Sequence, residues 1–278
     1  MNNTQKLALI YLYMVPIAVA AIGFGIGPVS YKLYVPLWLI HVCLMGIAAS
    51  YLSKQRKPAQ DQARTLAISA ALLFLPWVLF SIFAGMGPPP ATAAKWLEKE
   101  TEQRIRYSIL IFGGLAALLG FGMLKLKLQS TPSQLPATLG FTLLNVATPL
   151  FILNMTYWGY YLPEAFRGFM HDPARGRPDW YLSLQVLFYN IACIEVGLIY
   201  LSTIFFADAM KGAGLLSSRS CRWYQIFGGL GLLLVFVPTS WPDPLSTLGY
   251  LAAVPAIPFI MPYLMGVQIL KGRQQEKT

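Results

Sequence analysis

The residue with the clearest chemical meaning in this sequence is a carboxylate at the middle of a long apolar stretch. The stretch runs from Tyr181 to Asp208, and Glu195 lies at its centre. A helix of this length crosses a bilayer, which would put Glu195 close to the midplane. A carboxylate there costs roughly 2.5 kcal/mol or more, so we expect a partner, a cavity or a bound proton to compensate it.

His41 is the candidate partner of Glu195. It lies midway along another apolar segment, and both segments are expected to descend from the same side of the membrane. An imidazole and a carboxylate at equal depth can pair and lower the cost of burying both. In the alternative interpretation, Glu195 is a protonated packing residue and His41 is a structural hydrogen-bond donor.

Three more polar residues are candidates for the same ion, proton or substrate site. Asn145 lies close to a proline that can free backbone carbonyl groups. Asn190 lies on the segment that carries Glu195, and Ser202 shares a helix face with Glu195 because residues seven apart align. The alternative role for Asn145, Asn190 and also Asn154 is hydrogen bonding between helices.

A second polar group is predicted at the outer mouth of the bundle, in the loop 157–181. This loop is rich in aromatic residues, so we expect an interfacial helix or a lid over the mouth. Its charged and titratable candidates are Glu164, Arg167, His171, Arg175 and Arg177. The other long outer loop, 87–104, opens with three prolines and continues in a charged pattern typical of a solvated helix.

Composition predicts an all-α, polytopic integral membrane protein. Of its 278 residues, 56% are hydrophobic and 12% are charged, and the mean hydropathy is +0.55. Soluble domains carry about 25% charged residues. The net charge of +10 comes from basic residues in short loops, which suits anionic lipid and the cytoplasm. We therefore expect the lipid bilayer as a partner and no nucleic acid.

Eight segments are long and apolar enough to cross a membrane as a helix bundle. They are approximately 7–27, 33–52, 65–85, 105–124, 137–158, 181–208, 223–237 and 246–270. The last contains Pro255, Pro258 and Pro262, which predicts a kinked or locally unwound helix. We treat 1–278 as a single transmembrane domain, although the count also allows two halves, 1–130 and 136–278.

The distribution of lysine and arginine predicts that both termini are cytoplasmic. The two tails and the loops on their side hold 13 basic residues, and the loops on the opposite side hold 8 when Arg106, at the very start of the fourth segment, is counted with them. Positive charge favours the cytoplasmic side. This pattern is typical of a multi-pass protein of the bacterial cytoplasmic (inner) membrane.

Several kinds of chemistry have no motif in the sequence. It contains no P-loop, HExxH, GxSxG or Cys/His cluster. Its two histidines, His41 and His171, are predicted at different depths, which argues against a haem held by both. We therefore predict no metal and no cofactor.

Three functions fit these observations. The first is a transporter or channel-like protein that moves a small solute or ion and is proton-coupled through Glu195 and His41. The second is a non-catalytic subunit or sensor module that docks a membrane protein partner or a second copy of the chain. The third is an intramembrane enzyme acting on a lipid or prenyl substrate, with Glu195 or His41 as acid or base.

Overall fold

The computed structural model describes residues 2–53, 60–129, 131–171 and 179–272. The regular elements in these ranges are all helical, and no strand occurs among them. The α-helices are α1 (Asn3–Gly25), α2 (Tyr31–Ser53), α3 (Gln60–Phe80), α4 (Phe83–Met86), α5 (Ala93–Glu98), α6 (Glu100–Leu128), α7 (Gln134–Thr156), α8 (Leu162–His171), α9 (Asp179–Gly212), α10 (Ser218–Val235), α11 (Leu245–Ala253) and α12 (Ile260–Lys271). A π-helical turn, Tyr157–Tyr161, joins α7 to α8, and a 3₁₀ turn, Ile257–Phe259, precedes α12.

Six helical stretches in the described part of the chain are long and apolar enough to cross a membrane. They are Asn3–Gly25, Tyr31–Ser53, Arg64–Met86, Glu100–Leu128, Gln134–Met170 and Tyr181–Gly212. A seventh is added if the bent pair α11–α12 counts as one span. This all-helical architecture is compatible with an integral multi-pass membrane protein.

The predicted seventh and eighth segments differ most from simple spans. α10 has the required length, but it is not among the six stretches because its first half is polar. Its last turn meets the middle of α9, where Leu232 and Phe236 pack against Gly197. The predicted eighth segment is broken, as its prolines indicated, with a bend of 70° between α11 and α12.

The centre of the bundle is formed by α3, α6, α7, α9 and α12, while most of α2 is exposed. Glycines allow close approach between these central helices. Gly120 of α6 meets Leu73 of α3, and Gly114 of α6 meets Phe151 of α7. The last helix also reaches the first, because the Tyr263 hydroxyl donates to the Leu12 carbonyl at 2.9 Å.

Short helices cover one end of this bundle. α5 packs on α8, and their contact includes Trp96 against Phe166. The Trp96 indole N–H donates to the Pro90 carbonyl, which holds the proline-rich link between α4 and α5. The loop 87–104 thus contains α5 and the first residues of α6, and a short helix, α8, lies within the loop 157–181, for which an interfacial helix or a lid was expected.

The contact between α7 and α9 provides a test of this packing. A Cβ at Gly140 would lie 2.9 Å from the Phe206 side chain and 3.1 Å from the Ser202 carbonyl oxygen. We expect Gly140→Ala to lower the free energy of unfolding by about 1–3 kcal/mol, because overpacking forces the two helices apart. Thermal unfolding of the purified protein in detergent measures this change.

Gly229 on α10 is the matched control, because a Cβ there meets nothing within 4 Å. Gly229→Ala should leave the unfolding temperature unchanged. Equal unfolding temperatures for the two variants would contradict the close α7–α9 contact.

Candidate functional site

A buried side-chain hydrogen bond connects α7 to α9. Both Glu195 and Asn154 are 0% exposed, and the Asn154 Nδ2 donates to Glu195 Oε1 at 2.9 Å. Two acceptor atoms of this pair, Glu195 Oε2 and Asn154 Oδ1, have no hydrogen-bond partner among the described residues. A proton on the Glu195 carboxyl would supply a donor where two acceptors lack one.

Residues next to Glu195 in sequence form an apolar contact with α10, on a different side of α9 from the bond to Asn154. Cys193, Val196 and Tyr200 of α9 form a small buried cluster with Val235 at the end of α10. Glu195 is itself 0% exposed, and an unpaired buried charge is far more costly than a paired one. The bond from Asn154 is therefore the main polar stabilisation that the described residues give to Glu195.

A cavity of about 520 Å³ lies next to this pair, on the side where the short helices cover the bundle. Asn154 lines it, and so does Ala192, which lies three residues before Glu195 on the same face of α9. Glu195 itself is not in the lining. The carboxyl therefore lies one side chain behind the cavity wall.

The broken helix forms part of the same wall. Residues 253–257, which include the break between α11 and α12, line the cavity. The chain there turns from helical to extended at Val254, and Pro255 follows. The Tyr200 hydroxyl donates to the Ala252 carbonyl at 3.1 Å, which ties the end of α11 to α9.

Arg106 is the one charged residue in the described lining of the cavity. It is 6% exposed, and its Nη2 donates to the carbonyl oxygens of Met86 at 3.3 Å and Gly87 at 2.7 Å. Its guanidinium carbon lies 5.7 Å from the Phe83 ring centroid. Glu102 is 4.0 Å away, but Arg106 Nε has no hydrogen-bond partner among the described residues.

Arg106 and Asn154 lie at different heights along the cavity. Tyr107, next to Arg106, packs directly on Gly159 of the π turn. Gly159 follows Asn154 by five residues, which is roughly 7 Å along a helix axis. The cavity therefore extends from a cation near the covered end of the bundle down to the Asn154–Glu195 pair.

A charge cluster fastens α8 to the start of α6 outside the cavity. Arg104 contacts Glu100 at 2.6 Å and Glu164 at 3.0 Å. Arg167 contacts Glu100 at 2.6 Å and also pairs with Glu164. Glu164 and Arg167 belong to α8 and face the cluster, whereas Leu162 and Phe166 of the same helix line the cavity. The cluster thus holds two wall residues in position.

His41 and Glu195 do not form a hydrogen bond or an ion pair. His41 Nδ1 instead bonds the Tyr11 hydroxyl on α1 at 2.9 Å, and the two rings meet edge to face. α2 contributes nothing to the described lining of the cavity. The expected pairing is wrong because α1, and not α9, is the main neighbour of α2.

The other predicted site residues are distributed over different surfaces. Asn145 is exposed and donates to the Phe141 carbonyl of its own helix, so it does not connect helices. Asn190 is also exposed. Ser202 is buried and donates to the Gly140 carbonyl at 2.7 Å, which joins α9 to α7 two turns from Glu195. None of these three lines the cavity.

Of the predicted outer-mouth residues, Glu164 and Arg167 belong to the charge cluster described above. The side chain of His171 lies outside the described part of the chain, and so do Arg175 and Arg177.

Sequence reasoning did not assign most of the wall residues to the site, and Arg106 and Trp77 are two examples. Arg106 lies inside the predicted fourth apolar segment, and a cation within such a segment was the available signal. Trp77, whose indole Nε1 has no partner among the described residues, lines the cavity as well. A lone tryptophan in an apolar helix carries no comparable signal.

No protein family, curated protein or solved structure matches this chain.

The Asn154–Glu195 bond can be tested by removing its donor. We expect Asn154→Leu to lower the free energy of unfolding by about 1–3 kcal/mol, because it leaves the buried carboxyl without a partner. Glu195→Gln should stay close to wild type, since its amide oxygen can still accept from Asn154. Thermal unfolding in detergent distinguishes these outcomes.

Asn145→Leu is the control on the same helix, because Asn145 is exposed and bonds only its own helix. An Asn154→Leu protein as stable as Asn145→Leu would argue against a stabilising contact at Glu195.

Proposed function

We propose that this protein is a multi-pass membrane transporter or channel-like protein that moves a small solute or ion. The observation that carries the proposal is the buried carboxyl of Glu195, which lies one side chain behind the wall of a cavity of about 520 Å³. The cavity is the proposed solute site. The Asn154–Glu195 pair is the proposed proton-coupled site.

The broken helix supports a transport function. Discontinuous helices border the substrate sites of many transporters, because unwound backbone there can face a cavity. The break between α11 and α12 lies in the cavity wall. Intramembrane carboxylates mark proton relays and coupling sites, and Glu195 is fully buried close by. The volume of the cavity falls in the range of small-molecule sites, about 300–1,000 Å³. A site of this size favours a carrier that binds its solute over an open channel.

Coupling would depend on the proton at Glu195. With the carboxyl protonated, Oε2 gains a donor that can reach an acceptor on its neighbours or in the cavity. With the proton lost, the buried charge keeps only the bond from Asn154. The two states therefore differ in free energy by an amount that a bound solute can change, which is the requirement for coupling.

We further propose eight crossings, with both termini on the cytoplasmic side of a bacterial inner membrane. α10 would be the seventh crossing, although its helix ends near the middle of α9. The residues after Val235 continue in turns, in which the Val237 N–H donates to the Leu234 carbonyl and the Trp241 N–H to the Pro238 carbonyl, and in this proposal they bring the chain to the membrane boundary. Exposed Trp241 suits such an interface, and so does Asp243, whose pKa is lowered by hydrogen bonds from Thr247 and Ser246.

The position of α10 predicts opposite labelling of two single cysteines. In a variant without Cys43, Cys193 and Cys221, Ser240→Cys should react with a membrane-impermeant maleimide in intact cells. Ser218→Cys should react only after the membrane is opened. Labelling of both positions from the same side would contradict a crossing by α10.

The role of Glu195 predicts a change in proton-linked flux. Proteoliposomes that contain the pH dye pyranine can be challenged with a panel of carboxylates, amines, amino acids and sugars. We expect at least one solute to drive proton movement about tenfold faster than in protein-free liposomes. Glu195→Gln should abolish the pH-dependent part, because an amide does not exchange a proton in this range.

Asp208→Asn is the control on the same helix, because Asp208 is an exposed carboxylate. It should leave the flux unchanged. Unchanged pH-dependent flux in Glu195→Gln would overturn the proton-coupled role. No solute-driven flux with folded wild-type protein would overturn the transporter.

A further inference from the structure

We propose that the cavity takes an organic anion with an apolar, aromatic body, and that Arg106 holds its anionic group. The inference rests on the proposed function, since it names the class of solute for the same cavity. It depends on three observations: the charge of the described lining, the chemistry of the walls and the distance between the polar ends.

The charge of the lining favours an anion. Arg106 is the one charged member of the described lining, and it is almost completely buried. A buried cation is costly unless it is paired. Its nearest carboxylate, Glu102, lies 4.0 Å away and also pairs with Lys99 at 3.8 Å. The guanidinium is thus only partly compensated, and an anionic ligand would complete its pairing.

The hydrogen bonds of Arg106 leave it able to bind such a group. Only Nη2 is engaged by backbone carbonyls, those of Met86 and Gly87. These bonds hold the guanidinium against the link between α4 and α5, and Gly87 itself lines the cavity. A fixed guanidinium presents its donors in a planar fork that matches a carboxylate.

The walls favour a body with aromatic faces. Aromatic rings surround the cavity at several heights, and such rings pack well against flat apolar groups. They are Phe24, Trp77, Phe80, Phe83, Trp96, Tyr107, Trp158, Phe166, Tyr181, Tyr189 and Tyr250. The link between α4 and α5, which follows Gly87, adds rigid apolar surface to the same wall through Pro88, Pro89 and Pro90.

The distance between the polar ends limits the ligand. The level of Tyr107, the neighbour of Arg106, is roughly 7 Å from Asn154 along the helix axis, because Tyr107 packs on Gly159 and Gly159 follows Asn154 by five residues. This is about the length of a fused two-ring system. An anion at Arg106 would therefore place its ring between the aromatic walls, with its far edge close to Asn154.

The exposed members of the lining mark the mouth of the cavity. Phe24 is 45% exposed, Tyr189 42% and Tyr250 60%, and they belong to α1, α9 and α11. Gln185, Pro88, Pro89 and Ala91 are exposed lining residues too, so the described mouth is bordered by uncharged side chains, several of them aromatic. Such a border suits a ligand that brings a large apolar surface with it.

Two probe ligands of the same shape test the charge requirement. Naphthalene-2-carboxylate is an anion at neutral pH, and 2-naphthamide is its neutral counterpart. Isothermal titration calorimetry on the full chain in lipid nanodiscs, with empty nanodiscs subtracted, measures both affinities. We expect the carboxylate to bind at least tenfold more tightly. Equal affinities, or tighter binding of the amide, would overturn the proposal.

Substitutions then assign the preference to Arg106. Arg106→Gln should reduce the ratio of the two affinities to about one, whereas Arg106→Lys should retain part of it. Lys125→Gln is the control on the same helix, because Lys125 lies in the last turn of α6, away from Arg106 and outside the described lining. An unchanged ratio in Arg106→Gln would overturn the role of Arg106.

Ala192→Phe covers the case in which Arg106→Gln fails to fold. Ala192 is a half-buried wall residue on α9, so the larger side chain should fill the lower part of the cavity. Binding of both probes should fall at least tenfold with Arg106 intact. Full binding of the carboxylate in this variant would place its site elsewhere and overturn the proposal.

The binding measurement is independent of transport. Preferential binding of the carboxylate without any solute-driven flux would support the anion site and overturn the transporter. Proton-linked flux of other solutes without binding of the carboxylate probe would support the transporter and overturn the anion site.

Discussion

The bond between Asn154 and Glu195 is the interaction on which the interior of this protein depends. Both side chains are fully buried, and the carboxyl has no other hydrogen-bond partner among the described residues. The bond can form because α7 and α9 pack closely. Gly140 of α7 lets the two backbones approach, and the Ser202 hydroxyl of α9 donates a second hydrogen bond to the Gly140 carbonyl. Glu195 therefore keeps its partner only while α7 and α9 stay packed together. Separating the two helices would leave the Glu195 carboxyl without a hydrogen bond in an apolar environment.

The cavity exists because the neighbouring elements do not continue as regular helices. α11 and α12 are separated by a bend of 70° at a proline-rich break, and a π turn separates α7 from α8. Each interruption leaves space that a straight helix would fill. The short helices close this space at one end, and the cluster of Glu100, Arg104, Glu164 and Arg167 fastens α8 to α6 there. The cluster is exposed, so each of its pairs contributes about 0–1 kcal/mol, and its role is to position α8 more than to stabilise the bundle.

Much of the site depends on which helices are neighbours, and here sequence reasoning reached only part of the answer. Glu195 was identified because a carboxylate in an apolar helix is conspicuous in any sequence. Its partner was not: His41 was the candidate from the sequence, and Asn154 can be recognised as the partner only when α7 is known to be the neighbour of α9. The heights of His41 and Glu195 could be compared along their helices, but equal height does not bring two side chains together. Arg106 was overlooked for the opposite reason: it is the second residue of the predicted segment 105–124, whose residues after Arg106 are those of an ordinary span.

By itself the sequence determined the helical class, the approximate limits of the apolar segments, the break in the last of them and the position of a carboxylate, Glu195, inside the sixth. These follow from hydropathy, helix length and proline chemistry, which are local properties of the chain. The tertiary structure alone decided that Asn154 pairs with Glu195, that His41 bonds Tyr11, and that Arg106 faces a cavity built from helices distant in sequence. Partners and cavities depend on how helices pack and rotate against each other, and that arrangement is a property of the whole set of contacts.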